Sequence, residues 1–325
     1  MEQKTKDIII IGAGPTGLNC AIAARKAGLD YLIIEKGVLV NSIFNFPANM
    51  TFFSTSKKLE IGDIPFISHQ DKPTRREALE YYRRIVESYK LKIHYREKVV
   101  GVLKKQEGVF VVDTDKNSYL CNNVIVTTGY YDIYKKLNIP GEELSKVKHY
   151  YDEAHPYIGQ KVVVVGGANS GCDVALETWQ KGAEVTMVIR EPELYQKVKY
   201  WILPNIENRI KEGSIKAYFN SNLTRIEDDK VFISTPEGEV ILKNDYVLAM
   251  TGYMPDYSFL ESIGVQFEDN EYRTPIFNVD SLESTLPGLY LAGVILGGLH
   301  TSKLFIENTR EHGQIIIDHI ISKKC

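Results

Sequence analysis

Asp7-Ile8-Ile9-Ile10-Ile11-Gly12-Ala13-Gly14-Pro15-Thr16-Gly17 sets a strand, a turn and the mouth of a helix end to end. The unbroken β-branched run suits a parallel strand buried on both faces. Leu18 to Ala27 is helix-compatible and ends at Gly28, where a left-handed turn closes a helix easily. A second strand, Tyr31 to Glu35, completes a β-α-β unit. In that setting Gly12 makes the tight turn, Gly14 admits a pyrophosphate to the backbone, and Gly17 lets the helix pack on the strand. The helix N-terminus, with free N–H groups and the positive end of its dipole, favours the pyrophosphate. Glu35 ends the second strand, where a carboxylate accepts ribose hydroxyls.

Working outward, the same design recurs. Lys161-Val162-Val163-Val164-Val165-Gly166-Gly167-Ala168-Asn169-Ser170-Gly171 opens a second unit, followed by a helix from Cys172 to Gln180, Gly182, and a strand from Glu184 to Arg190. Each unit is closed by a strand running into Thr-Gly-Tyr, at Thr128-Gly129-Tyr130 and at Thr251-Gly252-Tyr253. The copies differ where charge matters. Ala168 replaces the middle glycine, and Arg190 stands where the first unit has Glu35. Arginine there suits a ribose 2′-phosphate, which it binds bidentately. Lys197 and Lys199 either add charge or are solvated surface lysines. Glu35 therefore suits the adenosine half of FAD and Arg190 suits NADPH, and two unlike dinucleotide sites in one chain imply internal electron transfer.

The remaining sequence fits around these units. An amphipathic helix is expected from Pro73 to Tyr89, capped by Thr74 with Glu77 three residues on. Strands are expected over 92–95, 98–103, 109–113 and 287–294, then a last helix to about Ser322. The fold class is α/β: two Rossmann-like dinucleotide-binding domains of the three-layer ββα type, the NADPH domain (146–252) inserted in the FAD domain (1–145 and 253–325). A length of 325 residues agrees with two domains at roughly 100–200 residues each. Thirty-nine basic against 42 acidic side chains, a net charge of -3, argue against a general nucleic-acid binder. No apolar run approaches the ~18 residues of a membrane span and no signal peptide opens the chain, so a cytoplasmic protein is expected. Cys20, Cys121, Cys172 and Cys325 form no C-x-x-C, so neither a zinc ribbon nor a redox dithiol is encoded.

Longer motifs point to a family. Gly14-Pro15-Thr16-Gly17, Ile34-Glu35-Lys36-Gly37, Asn45-Phe46-Pro47, Thr51-Phe52-Phe53-Ser54, Leu59-Glu60-Ile61-Gly62-Asp63, His149-Tyr150-Tyr151, Trp201-Ile202-Leu203-Pro204, Ala292-Gly293-Val294-Ile295 and Phe305-Ile306-Glu307-Asn308 together resemble the bacillithiol disulfide reductases. These are relatives of thioredoxin reductase, and the resemblance covers essentially the whole chain. It implies that residues 49–54, with Thr51 and Phe52, line the flavin, that Val99 contacts the adenine through its backbone, and that Gly293-Val294 and Thr301, Ser302 and Lys303 at the start of the last helix face the ribityl chain and ring. Lys36 and Phe46 join the same site, as do Thr128 and Gly129. The second site takes Gly166, Ala168, Asn169, Ser170, Arg190, Lys199 and Gly252. Phe46, Phe52 and Phe53 either wall the ring or belong to the core.

Two departures from the family pattern bear on chemistry. The dithiol of thioredoxin reductases has no counterpart in Tyr150-Tyr151-Asp152-Glu153-Ala154-His155-Pro156-Tyr157. The family's usual Gly-Pro-Cys-Gly carries Thr16 here, which puts disulfide reduction itself in doubt. Cys20, one helical turn further on, either substitutes or packs. Of the histidines, His300 is best placed for acid–base work because it precedes the expected last helix, yet hydride transfer to a flavin needs no protein acid or base. No catalytic side chain and no metal is assigned. The expected activity is FAD-dependent hydride transfer from NADPH to a small-molecule or small-protein electron acceptor, first of all a low-molecular-weight disulfide of the bacillithiol type. Alternatives are a ferredoxin– or flavodoxin–NADP reductase, a flavin monooxygenase-like enzyme, whose Phe-x-Gly-x-x-x-His signature is missing, and a non-enzymatic nucleotide sensor. Self-association into a homo-oligomer is left open.

Overall fold

The computed structural model describes residues 4–106 and 108–323. It divides into two compact units, Met1–Ile133 with Tyr253–Cys325, and Tyr134–Gly252. The chain begins with β1 (Lys6–Ile11), α1 (Pro15–Lys26), β2 (Tyr31–Glu35), α2 (Arg75–Tyr89), β3 (Ile93–Tyr95), β4 (Val99–Lys104), β5 (Phe110–Thr114) and β6 (Ser118–Val126). The second unit supplies β7 (Val147–Lys148), β8 (Lys161–Val165), α3 (Asn169–Gln180), β9 (Glu184–Val188), α4 (Leu203–Lys211), β10 (Lys216–Tyr218), β11 (Asn222–Ile226), β12 (Lys230–Thr235), β13 (Gly238–Lys243) and β14 (Tyr246–Ala249). The first unit is then completed by β15 (Leu289–Leu291) and α5 (His312–Ser322).

In the first unit β1 lies between β2 and β6, all parallel, with β3 beyond β2 and β15 parallel to β6. Ile8, Ile9 and Ile10 have no exposed surface, as a strand covered on both faces requires. β6 then continues into an antiparallel meander with β5 and β4, the third layer of the ββα plan. The capping box at α2 is present: Thr74 Oγ1 accepts the Glu77 N–H and Glu77 accepts the Thr74 N–H. α5 packs on α1 at Gly313, where an added Cβ would lie 2.4 Å from Asn19 Oδ1. The second unit repeats the plan, with a parallel sheet in the order β10-β9-β8-β14-β7 and an antiparallel meander β11-β12-β13. The molecule is thus α/β, built of two Rossmann-like units, one inserted in the other.

The structure departs from the sequence reading in three places. The division falls at 133/134 rather than after residue 145. Leu137, Ile139 and Leu144 pack against the second unit's own core of Val163, Val188, Leu223, Ile226 and Val247, and the Ile226 amide donates to the Pro140 carbonyl at 2.9 Å. Thr301, Ser302 and Lys303, expected to open the last helix, lie in a turn. Leu299 N–H bonds the Tyr272 carbonyl, which holds the start of this segment to a neighbouring loop. The β11–β13 meander has no counterpart in the sequence reading; its strands are only five or six residues long, and Leu223, Ile226, Val231, Phe232 and Ile233 are its buried residues.

Candidate functional site

In the first unit, Gly12, Gly14, Pro15, Thr16 and Gly17 form the turn from β1 into α1. Gly12 has φ +105°, and a Cβ there would lie 2.9 Å from the Thr127 carbonyl oxygen. A Cβ on Gly17 would lie 2.0 Å from the Gly12 oxygen, a contact no side chain could make. Gly14 differs, since nothing stands within 4 Å of its Cβ position, and as N-cap of α1 it offers no side chain to the helix end. Glycine at 12 and 17 is needed for packing; at 14 it leaves space and free amides for an anion.

Glu35 is 5% exposed. Its Oε2 accepts the Ala13 N–H at 2.8 Å and its Oε1 accepts the Gly37 N–H at 2.7 Å. Burial outweighs these donors and holds the carboxyl above its ordinary range. Each oxygen keeps a second lone-pair direction, so the residue staples the turn and retains acceptor capacity for ribose hydroxyls. The amides of Arg96 and Glu97 donate to the Gly37 and Glu35 carbonyls, which draws the segment leading to the buried Val99 alongside. Lys36 is paired with Asp132 at 2.7 Å.

The other expected residues converge on the same end of the sheet. Thr127, Thr128 and Gly129 follow β6, and Thr128 Oγ1 is buried without a hydrogen-bond partner among the described residues. Gly293 follows β15, and its Cβ position lies 2.8 Å from Thr16 Oγ1. Gly293 opens the single turn Gly293–Gly297, of which Val294 is the second residue. The loop carrying Thr51 and Phe52 is tied down by the Phe52 amide to the Pro73 carbonyl and by a Thr51–Thr74 bridge. Phe46 meets Phe52 and Tyr131 edge-on, with ring centroids 6.3 and 4.9 Å apart. Tyr130 donates to the Thr301 carbonyl at 3.2 Å, so Thr301 stays at the site, whereas Ser302 and Lys303 are exposed. His300, the histidine sequence favoured, stacks on Tyr272 at 4.6 Å instead. The histidine that reaches the site is His312, whose Nδ1 accepts the Gly293 N–H at 3.1 Å. Its spacing from Gly293 carries no motif, so only packing of α5 on α1 could reveal it.

The second unit repeats the turn geometry. Gly166 has φ +117° against the Met250 carbonyl, and a Cβ on Gly171 would lie 2.1 Å from the Gly166 oxygen. Ala168 is the N-cap of α3, exposed and without a side-chain cap, and Ser170 is exposed beside it. Asn169 does not face outward freely, since its Oδ1 accepts the Lys199 N–H at 2.9 Å. Gly252, at φ +87°, has open space around its Cβ position. Arg190 is exposed beyond β9 and paired with Glu191 at 2.6 Å. The Lys199 side chain is 13% exposed and its ammonium lies 2.7 Å from Asp173, so its charge is already met.

Cys20, Cys121 and Cys172 are fully buried, and burial pushes each thiol up to about 12. Cys325 lies outside the described residues. No group of three His, Cys, Asp or Glu able to hold a metal occurs among the described residues, and no helix there is long and apolar enough to cross a membrane.

Residues 9–293 match the family model of the pyridine nucleotide-disulphide oxidoreductases. The chain belongs to that family. Bacilliredoxin reductase of Bacillus subtilis (strain 168) is 45% identical over 317 residues, 97% of this chain and 98% of that protein. Solved bacillithiol disulfide reductases from Staphylococcus aureus and Bacillus cereus match with 44% and 42% identity and a TM-score of 0.96 each. They cover 99% and 98% of this chain and 100% of their own. This pyridine nucleotide-disulphide oxidoreductase therefore groups with the bacillithiol disulfide reductases, and it is a flavin-dependent enzyme with FAD and NADPH as cofactors. The open space at Gly14 and the orphaned Thr128 hydroxyl fit a bound dinucleotide in the first unit; the uncapped start of α3 fits one in the second.

Proposed function

We propose that the chain uses NADPH to reduce a low-molecular-weight disulfide of the bacillithiol type, with FAD as the intermediary and no cysteine of its own in the electron path. The observation that carries this reading is the pair of matching glycine turns with opposite strand-end chemistry, a buried Glu35 in one unit and an exposed Arg190 in the other. The names of the relatives, bacilliredoxin reductase and bacillithiol disulfide reductase, supply the acceptor class. In the first unit the α1 amides would hold a pyrophosphate and Glu35 a ribose, with Thr128 giving a buried hydroxyl to a polar group. Gly293 and Val294 would border the flavin, their turn fixed by His312. In the second unit the α3 amides and Arg190 would hold the nicotinamide dinucleotide. Bound flavin supplies a two-electron relay between nicotinamide and acceptor.

The absence of a thiol path rests on chemistry. Thr16 occupies the turn position, and a threonine hydroxyl neither oxidises reversibly nor exchanges with disulfides. Cys20 lies fully buried, and at ordinary pH its thiol stays protonated and unreactive. That same observation favours a second reading, reduction of a one-electron protein such as ferredoxin, which needs no protein thiol. The test is anaerobic. The FAD-loaded protein, and a variant with Cys20, Cys121, Cys172 and Cys325 replaced by Ser or Ala, are given NADPH with bacillithiol disulfide or with ferredoxin. Disulfide turnover that survives the cysteine replacement supports the first reading. Turnover that collapses while flavin reduction continues reveals a thiol relay, and turnover with ferredoxin alone establishes the second.

A further inference from the structure

Residues 50–56 and 71–75 of the first unit form an irregular antiparallel ribbon. The Arg75 amide donates to the Met50 carbonyl at 2.9 Å, the Phe52 amide to the Pro73 carbonyl at 2.9 Å and the Ser56 amide to the Asp71 carbonyl at 2.8 Å. Phe52 turns into the core, whereas Phe53 is 56% exposed and Phe44, beside the ribbon, 48%. Each exposed ring carries a cation. The Lys72 ammonium lies over Phe53, 4.8 Å from its centroid, and the Arg75 guanidinium lies over Phe44 at 5.5 Å. Bonds to the Ile43 and Phe44 carbonyls hold Arg75 there, and neutral acceptors leave its charge in place. Beyond Ser56 the ribbon meets the short helix Ile306–Thr309, where Arg310 donates to the Lys57 carbonyl at 3.3 Å and Lys58 pairs with Glu307 at 3.5 Å.

The sign of charge here is opposite to that of the chain. Residues 50–58 and 71–76 hold five cations, Lys57, Lys58, Lys72, Arg75 and Arg76, and one carboxylate, Asp71, in a protein of net charge -3. Lys57, Arg76 and Arg310 are exposed, and no carboxylate is paired with any of them among the described residues. Aromatic rings and arginines gathered on one face, with carboxylates scarce, match the composition of protein interfaces. Cations at such a surface select an acidic partner and speed its approach. A cation already covers one face of each ring, which competes with the stacking that a nucleic-acid base would need.

We propose that this ribbon, with Phe44, Phe53, Lys57, Lys72, Arg75 and Arg310 exposed along it, is the docking surface for a small acidic electron-transfer protein. The inference rests on the assignment of the first unit to FAD, since Thr51 and Phe52 on the same ribbon belong to that site. It goes beyond the disulfide reading, because a small disulfide needs no surface of this extent.

The test titrates oxidised ferredoxin, as the acidic probe, into the FAD-loaded full-length protein by calorimetry without NADPH, so that turnover does not enter. Affinity should fall about tenfold or more between about 0.01 M and 0.15 M ionic strength, as the Debye length shrinks from about 30 to 8 Å. Lys57→Glu combined with Arg310→Glu should weaken binding about tenfold to a hundredfold, and Phe44→Ala about tenfold. Lys211→Glu combined with Lys243→Glu, at exposed lysines of the second unit, makes the same change in net charge and should alter binding less than about threefold. Unchanged FAD content and flavin reduction by NADPH show that the variants are folded. No affinity for ferredoxin, absence of either loss at the ribbon, or equal losses in the two charge-reversed pairs overturns the proposal. Binding to phosphatidylglycerol vesicles but not to ferredoxin, abolished by the Lys57 and Arg310 reversal, overturns it in favour of a membrane. A protein that takes up no FAD overturns the assignment of the first unit, and this inference with it.

Discussion

His312 shows how a single side chain joins the stability of the first unit to its site. Its Nδ1 accepts the Gly293 N–H, so the ring must stay neutral on that side. Burial, opposed by the nearby Glu311, holds its pKa down at about 4 against 6.5 for a free histidine. The sign follows from linkage. Between these values the unfolded chain binds a proton that the folded chain refuses, so stability falls as pH drops from 6.5 toward 4 and is level above 6.5. The full shift sets a ceiling of about 3 kcal/mol, which partial exposure of the ring reduces. His312→Gln keeps an acceptor for Gly293 but cannot titrate. Urea midpoints measured at pH 5 and pH 7.5 should differ less in this variant than in the unsubstituted protein; equal differences would place the acid sensitivity elsewhere. Glu35 was legible as a strand-end acid, but its second duty was not. Its bonds to the Ala13 and Gly37 amides depend on the curl of the turn, which no spacing rule describes.

At the scale of elements, the two glycine turns separate packing from binding. Gly17→Ala drives a methyl group into the Gly12 carbonyl, where α1 crosses β1. Such overpacking typically costs about 1–3 kcal/mol, and contact with rigid backbone belongs at the upper end. Gly14→Ala meets open space at φ -73°, so the flavin-free protein should unfold within about 0.5 kcal/mol of the unsubstituted one. Ala168 at the corresponding position of the second unit is the same substitution already in place. Thermal unfolding of both variants without flavin checks the contrast, and comparable loss in the two would refute it. These elements were readable because their signals are local: a β-branched run, three spaced glycines and an acid all lie within one β-α-β stretch. The β11–β13 meander was not, since its pairing joins three separate short strands and no single β-α-β stretch encodes it.

For the whole molecule, the connection between the units shows where local signals end. Residues 134–145 carry no helix or strand pattern, yet Leu137, Ile139 and Leu144 cover the second unit's core. Glu142 accepts the amides of Leu137 and Asn138, at 2.7 Å each, and a Cβ on Gly141 would lie 1.9 Å from the Ile226 carbonyl. A fragment spanning 134–252 should therefore fold with a cooperative transition. One spanning 146–252 should be less stable by about 3 kcal/mol or more, the burial of three large apolar side chains at roughly 1.5–3 kcal/mol each, discounted for their partial exposure. Urea unfolding of the two fragments makes the comparison, and equal midpoints would restore the later boundary.

Residues 7–35 and 161–190 were enough to specify two β-α-β units with glycine turns and the contrast between Glu35 and Arg190, because each signal is written within one supersecondary unit. Tertiary structure alone decided which charges remain unmet. Lys199 reads like a ligand until Asp173 stands beside it, and Lys135 reads like a linker residue until its backbone bonds Thr251 and Gly252. Burial and neutralisation depend on groups brought together from distant parts of the chain, and short-range spacing carries no record of them.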